Sequence, residues 1–346
     1  MNSSRYPGLD LGRFVAALIV ALGHLLFIET PIRAWALNNS VLIPFRFGSL
    51  SVAFFFGLSG FVLSTQLSLI RRRPVRWTMS RLSRLLPVYY FAWLIPMTLF
   101  ILIARRNGGA IFPDGKLSAF LGFFFSQSWT INHYIDMPNP PLWTLSVEIW
   151  FSFILVIIGV LALKRFVLLL IALILIVAQV FGSFHLNPII DSLPLFLLGI
   201  VVNSPHLIAL CYKKALRISL CIILLTTLVF IVRDTLTGAF SFYFVILQSI
   251  FVVCLLLLFS TFNLKGKSLA FSEFLSSRTY SLYAVHFPLL IIMSRIFVSV
   301  NQVNPFVWIF TMTALILIVT EIAYKFIERP SLALSRSFRN SSKTFK

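Results

Sequence analysis

The chain has 346 residues, of which 59% are hydrophobic, 15% aromatic and only 11% charged, with a mean hydropathy of +0.96. A soluble domain is about half apolar and about a quarter charged, so a water-solvated globule is excluded; ten membrane spans of ~20 residues would take up ~200 residues and leave no room for a sizeable soluble domain. Its 29 Lys and Arg against 10 Asp and Glu give a formal net charge of +19, which in a membrane chain reflects topology and anionic lipid headgroups and not nucleic acid.

Residues 4–10 lead into a long apolar segment with no small-residue cleavage site, so this segment is expected to be the first span and not a cleaved leader. Ten apolar runs follow the chain, at residues 11–29, 47–70, 85–104, 143–163, 166–182, 190–202, 216–232, 240–262, 279–299 and 306–327. The stretch 117–129 falls short of the ~17 residues needed to cross, and is expected to re-enter the membrane or lie along its surface. With the N-terminus inside and ten alternating spans, only Arg33, Arg46, Arg105, Arg106, Lys116, Arg233 and Arg295 of the 29 basic residues fall on or near the outside. That bias supports an all-α, polytopic membrane protein of about ten transmembrane helices plus a short re-entrant or interfacial segment, both termini cytoplasmic. Making 117–129 a full span would reverse everything after it. Residues 1–330 form one membrane domain in this reading, and 331–346 a basic cytoplasmic tail. Cys211, Cys221 and Cys254 suggest neither a disulfide framework nor a metal site.

Polar groups inside a bilayer are costly and are functional candidates for that reason. In the first span, Asp10 and Arg13 sit at the inner end and His24 lies deep. Arg13 and His24 are 11 residues apart, a separation of ~16 Å along a helix with only ~20° of angular drift, so they share a face. They could hold opposite ends of a long anionic thioester, or be a snorkelling arginine and a histidine bonded to a neighbouring span. Arg81 and Arg84, at i and i+3, present two guanidinium forks on one helical face near the inner surface, suited to phosphate oxygens or to plain topology. Glu148 lies ~8 Å inside the outer end of its span, behind the prolines 140–141 and Trp143. Ser146 and Glu148 point ~200° apart on a straight helix, so either the helix starts irregularly or the two do not act together. Gly57, Ser59 and Gly60 in the second span suit close helix packing, with catalysis the rival reading. His286 is buried in the ninth span, and Glu328-Arg329-Pro330 closes the tenth; an interface ion pair with Arg329 or a loop is the simplest role for Glu328. The polar, turn-rich residues 132–139 suit an outer loop facing a hydroxylated ligand or simply water. No metal-ligand spacing, Walker loop, dinucleotide fingerprint or Gly-x-Ser-x-Gly elbow is present in the sequence.

Six of these segments, in order, resemble the acyltransferase-3 family of integral membrane acyltransferases. They are Leu9-Asp10…Arg13 with His24, the Phe-Phe-x-x-Ser-Gly-Phe segment of residues 55–61, Arg81-x-x-Arg84-x-x-Pro87, Trp143-x-Leu145-Ser146 with Glu148, Tyr280-Ser281-Leu282-Tyr283…His286, and Glu328-Arg329-Pro330. One departure is Thr144-Leu145, which stands where the family more often has Ser-Leu and moves the serine to position 146. The resemblance implies transfer of an acyl group, usually acetyl from acetyl-CoA, to a hydroxyl of a cell-surface glycan (a polysaccharide or lipopolysaccharide), a lipid-linked sugar or another small acceptor. With only 16 residues after Pro330, it implies the stand-alone type without a fused esterase-like domain.

The expected protein is therefore a multi-pass O-acyltransferase of the cell (inner) membrane. His24 serves as general base or transient acyl carrier, and Glu148 faces the acceptor from outside. Asp10, Arg13, Ser59, Arg81, Arg84, Trp143, Ser146 and His286 are substrate-binding positions, with Arg13, Arg81 and Arg84 anchoring CoA phosphates. Acyl-CoA arrives from the cytoplasm as a donor substrate, no cofactor or metal is bound, and the partners are membrane lipids and the acceptor, not nucleic acid. The competing class is a transporter or flippase for a lipid-linked saccharide, against which stands the lack of paired inverted halves in the sequence.

Overall fold

The computed structural model describes residues 6–28, 30–106, 123–125, 139–181, 187–237, 243–297 and 303–340. All regular structure among them is helical, and the described part of each of the ten apolar runs is mostly helical, with 47–70 divided between two helices. In chain order these are α1 (Pro7–Phe27), α2 (Arg33–Leu37), a 3₁₀ turn (Ser40–Arg46), α3 (Gly48–Ser64), α4 (Leu67–Arg72), α5 (Pro74–Arg106) and a second 3₁₀ turn (Pro140–Leu142). Then follow α6 (Trp143–Val160), α7 (Arg165–Phe181), α8 (Pro188–Val202), α9 (Pro205–Leu210), α10 (Lys214–Thr237) and α11 (Phe244–Ser260). The chain closes with α12 (Gly266–Ser276), α13 (Thr279–Phe297), α14 (Pro305–Ala323), a π-helical turn (Tyr324–Glu328) and α15 (Arg329–Asn340). Among the described residues, five helical stretches are long and apolar enough to cross a membrane: Pro7–Phe27, Ser40–Ser64, Pro140–Val160, Lys214–Thr235 and Pro305–Arg339. This is a membrane protein. Of the expected re-entrant or interfacial segment 117–129 only 123–125 are described, and of the expected outer loop 132–139 only Asn139; the rest lies outside the described residues.

The helices gather into two compact units, each built from three separate stretches. One consists of Met1–Ala16, Ser49–Pro74 and Phe153–Ser276, the other of Ala17–Gly48, Val75–Ser152 and Ser277–Lys346.

The first unit is held by backbone-to-backbone packing. A Cβ on Gly60 would overlap the Phe196 carbonyl, and one on Gly199 would overlap the Gly57 carbonyl, so α3 and α8 cross with main chains in contact. Packing is the role this structure shows for Gly57 and Gly60. Asn203, just past α8, donates from Nδ2 to the Phe61 carbonyl at 2.7 Å and to Ser64 Oγ at 2.9 Å, tying the ends of the two helices. Pro194 has no N–H to give the Ile190 carbonyl, and Gln179 of α7 donates to Ile190 (3.4 Å) and Asp191 (3.1 Å) instead.

The second unit relies on side-chain bonds between helices. Arg278 forks onto Glu321, Nε to Oε2 at 2.6 Å and Nη2 to Oε1 at 3.3 Å, with its guanidinium 4.4 Å over the Tyr324 ring. The segment from Arg329 onward was expected to be a solvated tail from residue 331. It is helical to Asn340, with Ser335 Oγ donating to the Ser80 carbonyl at 2.6 Å and Arg76 Nε to the Phe338 carbonyl at 2.5 Å. Three serines at 331, 335 and 337 put polar groups along this helix, and one of them meets the polar start of α5.

Candidate active site

Within the second unit, α1 contributes His24 and α13 contributes His286, whose side chain is fully buried. His286 Nδ1 lies 2.8 Å from the Tyr283 carbonyl and 3.3 Å from the Leu282 carbonyl, and its Nε2 lies 2.9 Å from His24 Nδ1. A carbonyl can only accept, so Nδ1 of His286 carries its proton. In the neutral ring Nε2 is then an acceptor, and His24 must donate to it from Nδ1. This leaves His24 Nε2 as a lone-pair nitrogen. The two rings are almost parallel, at an interplanar angle of 9°, and Phe287 meets the His24 ring edge-on with centroids 5.2 Å apart.

A second cluster surrounds Tyr280, on the first turn of α13. Arg81 of α5 pairs with Glu148 of α6 and reaches Ser152 Oγ at 3.4 Å, while Ser152 Oγ donates to the Glu148 carbonyl at 2.9 Å. Glu328 is only 2% exposed and accepts from Ser281 N at 3.1 Å and Ser281 Oγ at 2.5 Å. Tyr280 sits in the field of all four charges: Glu148, Arg81, Glu328 and Arg84. Glu328 belongs to the π-helical turn; Pro330, two residues on, cannot donate to Phe326, and the helix widens here before α15. The carboxylate thus caps a free N–H in the first turn of another helix, where negative charge also suits the helix dipole. The simpler expectation of an ion pair with Arg329 or a loop gave no hint of this.

Arg81 and Glu148 were expected at opposite ends of the membrane, one on the donor side and one on the acceptor side. The structure joins them. The reason is visible at the start of α6, where Asn139 and Pro141, next to Trp143, are bonded to α5 and α13 and buried. The entry to this helix is sunk among the other helices, and Glu148, five residues on from Trp143, meets the first turns of α5. Ser146 and Glu148 turn to different partners, Ser146 to Tyr89 Oη at 3.5 Å and Glu148 to Arg81, so they do not act as a pair. Trp143 is half-buried, and Arg84 is half-buried beside Tyr280's cluster. Asp10, Arg13 and Ser59 belong to the first unit.

Phe123 and Phe125, within the short apolar segment, pack on α5 and α6. Tyr90 Oη donates to the Phe123 carbonyl at 3.2 Å, and Trp150 Nε1 donates to that of Phe125 at 3.0 Å. Phe125 has a φ of 57°, a left-handed conformation unfavourable for a bulky residue, and its ring lies edge-on to Tyr89. Asn139, expected in an outer loop facing a hydroxylated ligand or simply water, is 3% exposed. Among the described residues no three His, Cys, Asp or Glu side chains come together as a metal site.

Residues 6–325 match the family described as Acyltransferase domain. The chain belongs to this acyltransferase family. It is similar to the O-acetyltransferase OatA of Staphylococcus aureus strain NCTC 8325 / PS 47, at 25% identity over 95% of the chain. The OatA of S. aureus strain MW2 is similar to the same extent. The chain spans 58% of the length of these relatives. No solved structure matches it.

Proposed function

We propose that this protein is a multi-pass membrane O-acyltransferase that moves an acyl group, acetyl first among them, from a cytoplasmic acyl-CoA to a hydroxyl of a glycan or lipid-linked acceptor of the cell envelope. The observation that carries the reading is the hydrogen bond from His24 Nδ1 to His286 Nε2, which leaves His24 Nε2 free to take a proton. His24 Nε2 removes the acceptor O–H proton as the oxygen attacks the thioester carbonyl. The tetrahedral adduct collapses with cleavage of the C–S bond, and the CoA sulfur takes the proton back from His24. During the step, positive charge on His24 is stabilised through Nδ1–H by neutral His286. Arg84 and Arg81 form the cationic wall for donor phosphates, with Glu148 setting the plane of the Arg81 fork. Trp143 and Ser146, at the sunken start of α6, lie on the acceptor side of this arrangement.

The same reading gives ten crossings of the cell membrane with both termini inside, supported by the coincidence of apolar runs with helices and by the inward bias of Lys and Arg. The deciding experiment is mass spectrometry of envelope glycan from cells with and without the gene, paired with release of free CoA thiol by the purified protein. A gain of one acyl mass with thiol release is expected. Altered export of an unmodified saccharide, without thiol release, would replace the enzyme with a transporter.

A further inference from the structure

Three Asn-Pro pairs in this chain stand at helix starts. Asn187 and Asn304 cap their own helices by accepting backbone N–H groups, Ile189 N at 2.9 Å in the first case and Phe306 N at 2.9 Å in the second. Asn139 holds the same position before Pro140, yet its side chain makes no cap bond. Its Nδ2 donates instead to the Ala92 carbonyl at 3.0 Å and the Ala284 carbonyl at 3.1 Å.

Those two carbonyls have a common origin. Pro96 lies four residues beyond Ala92 in α5, and Pro288 four beyond Ala284 in α13. Each proline lacks the N–H that would have closed the helical bond, so each leaves one carbonyl without its usual donor. In a membrane interior no water replaces that donor. One amide group satisfies both, and because both partners are acceptors the NH₂ must face them. Its Oδ1 is buried with no hydrogen-bond partner among the described residues, so the two donor bonds alone account for how the side chain is turned.

The grip on α13 falls beside the histidine pair. Pro141, two residues from Asn139, accepts from Tyr283 Oη at 3.4 Å, and the Tyr283 carbonyl is the closer of the two that hold His286 Nδ1. The short segment 139–141 therefore holds α13 at 283 and 284, immediately before His286 and before Pro288, the residue type at which a helix bends.

We propose that Asn139 is a positioning residue for acyl transfer. Its bond to the Ala284 carbonyl sets the bend of α13 and hence the line from His286 Nε2 to His24 Nδ1, while its bond to Ala92 only steadies α5. The claim about transfer rests on the function proposed above, so the test carries a readout that needs no acyl donor. That readout is the rate at which diethyl pyrocarbonate modifies His24, followed by peptide mass spectrometry.

The experiment compares Asn139→Ala in two backgrounds of the full-length protein in detergent. Pro96→Ala restores an N–H for Ala92, so Asn139→Ala/Pro96→Ala leaves only Ala284 unpaired. Pro288→Ala restores one for Ala284, so Asn139→Ala/Pro288→Ala leaves only Ala92 unpaired. Relative to its own proline variant, the first is expected to lose roughly tenfold to a hundredfold in kcat with KM little changed, and to modify His24 at an altered rate. The second is expected to keep kcat and His24 reactivity within about twofold of its parent. Equal losses in both backgrounds, or a fall in thermal stability with kcat and His24 reactivity intact in both, would overturn the proposal. Should the wild-type protein transfer no acyl group, the function is wrong, and His24 reactivity alone decides whether Asn139 sets the histidine pair. If neither double variant accumulates, Asn139→Ala/Pro96→Ala/Pro288→Ala, with both helical donors restored, is expected to fold with His24 as reactive as in Pro96→Ala/Pro288→Ala; failure of that variant also overturns the proposal.

Discussion

The two units use the same material, apolar helices, in opposite ways. In the first, small residues bring backbones together: Gly57 and Gly60 of α3 lie against Gly199 and Phe196 of α8. In the second, charged and aromatic side chains reach from helix to helix, as in His24–His286, Arg81–Glu148 and Ser281–Glu328. Between apolar helices in lipid, close packing and hydrogen bonds are the available adhesives, because lipid chains are as apolar as the side chains they would replace. Packing through glycine leaves nothing to react. Packing through ionisable groups costs desolvation, and such groups inside a membrane mark the place where chemistry is done. The contrast teaches that the first unit is built chiefly by close packing, and that the second unit gathers the ionisable groups on which the proposed function rests.

The largest effect that would sharpen this contrast is expected from His24→Ala. Transfer per mole of purified protein should fall by about a hundredfold or more, with thermal unfolding close to wild type; retained transfer at normal protein levels would return His24 to a packing role. Gly60→Val should do the reverse. Its side chain has no room beside the Phe196 carbonyl, so a loss of about 1–3 kcal/mol in stability is expected, read as poor accumulation and a lowered unfolding temperature. A Gly60→Val protein of normal stability would break the picture of main chains in contact.

A smaller change is expected from Arg81→Lys, which keeps the charge but cannot serve Glu148 and Ser152 with one planar fork. Donor use, measured as kcat/KM for acyl-CoA, should fall by roughly tenfold; an unchanged value would make Arg81 a topology signal. The smallest effect is expected from Gly48→Ala at the start of α3. A Cβ there meets nothing within 4 Å, so stability should stay within about 0.5 kcal/mol of wild type. A large loss at Gly48 would mean that glycines matter here for reasons other than close approach.

Part of the site could be read directly from residue types. His24, Arg81, Arg84, Glu148 and His286 stand out because an ionisable group in an apolar run is costly wherever the run ends up. Asn139, Tyr280 and Ser281 did not stand out as site residues. A polar residue among prolines looks like any loop, and the signal that marks Asn139 is split between Pro96 and Pro288, each four residues past a carbonyl on a different helix. The role of Glu328 was hidden for a similar reason: its partner Ser281 is 47 residues away, and its direction depends on a widened helical turn.

The sequence by itself determined the helical class, the membrane setting, the positions of the apolar segments and the family motifs in their order. These follow from composition along short windows, because burial of apolar side chains and internal pairing of the helical backbone are local demands. Only the tertiary structure decided which polar groups meet. His24 and His286 are 262 residues apart in sequence, Arg81 and Glu148 are 67 apart, and Asn139 joins two helices that do not adjoin it in the chain. Such pairs form because a buried donor or acceptor must find a partner, and which partner it finds depends on how the helices pack.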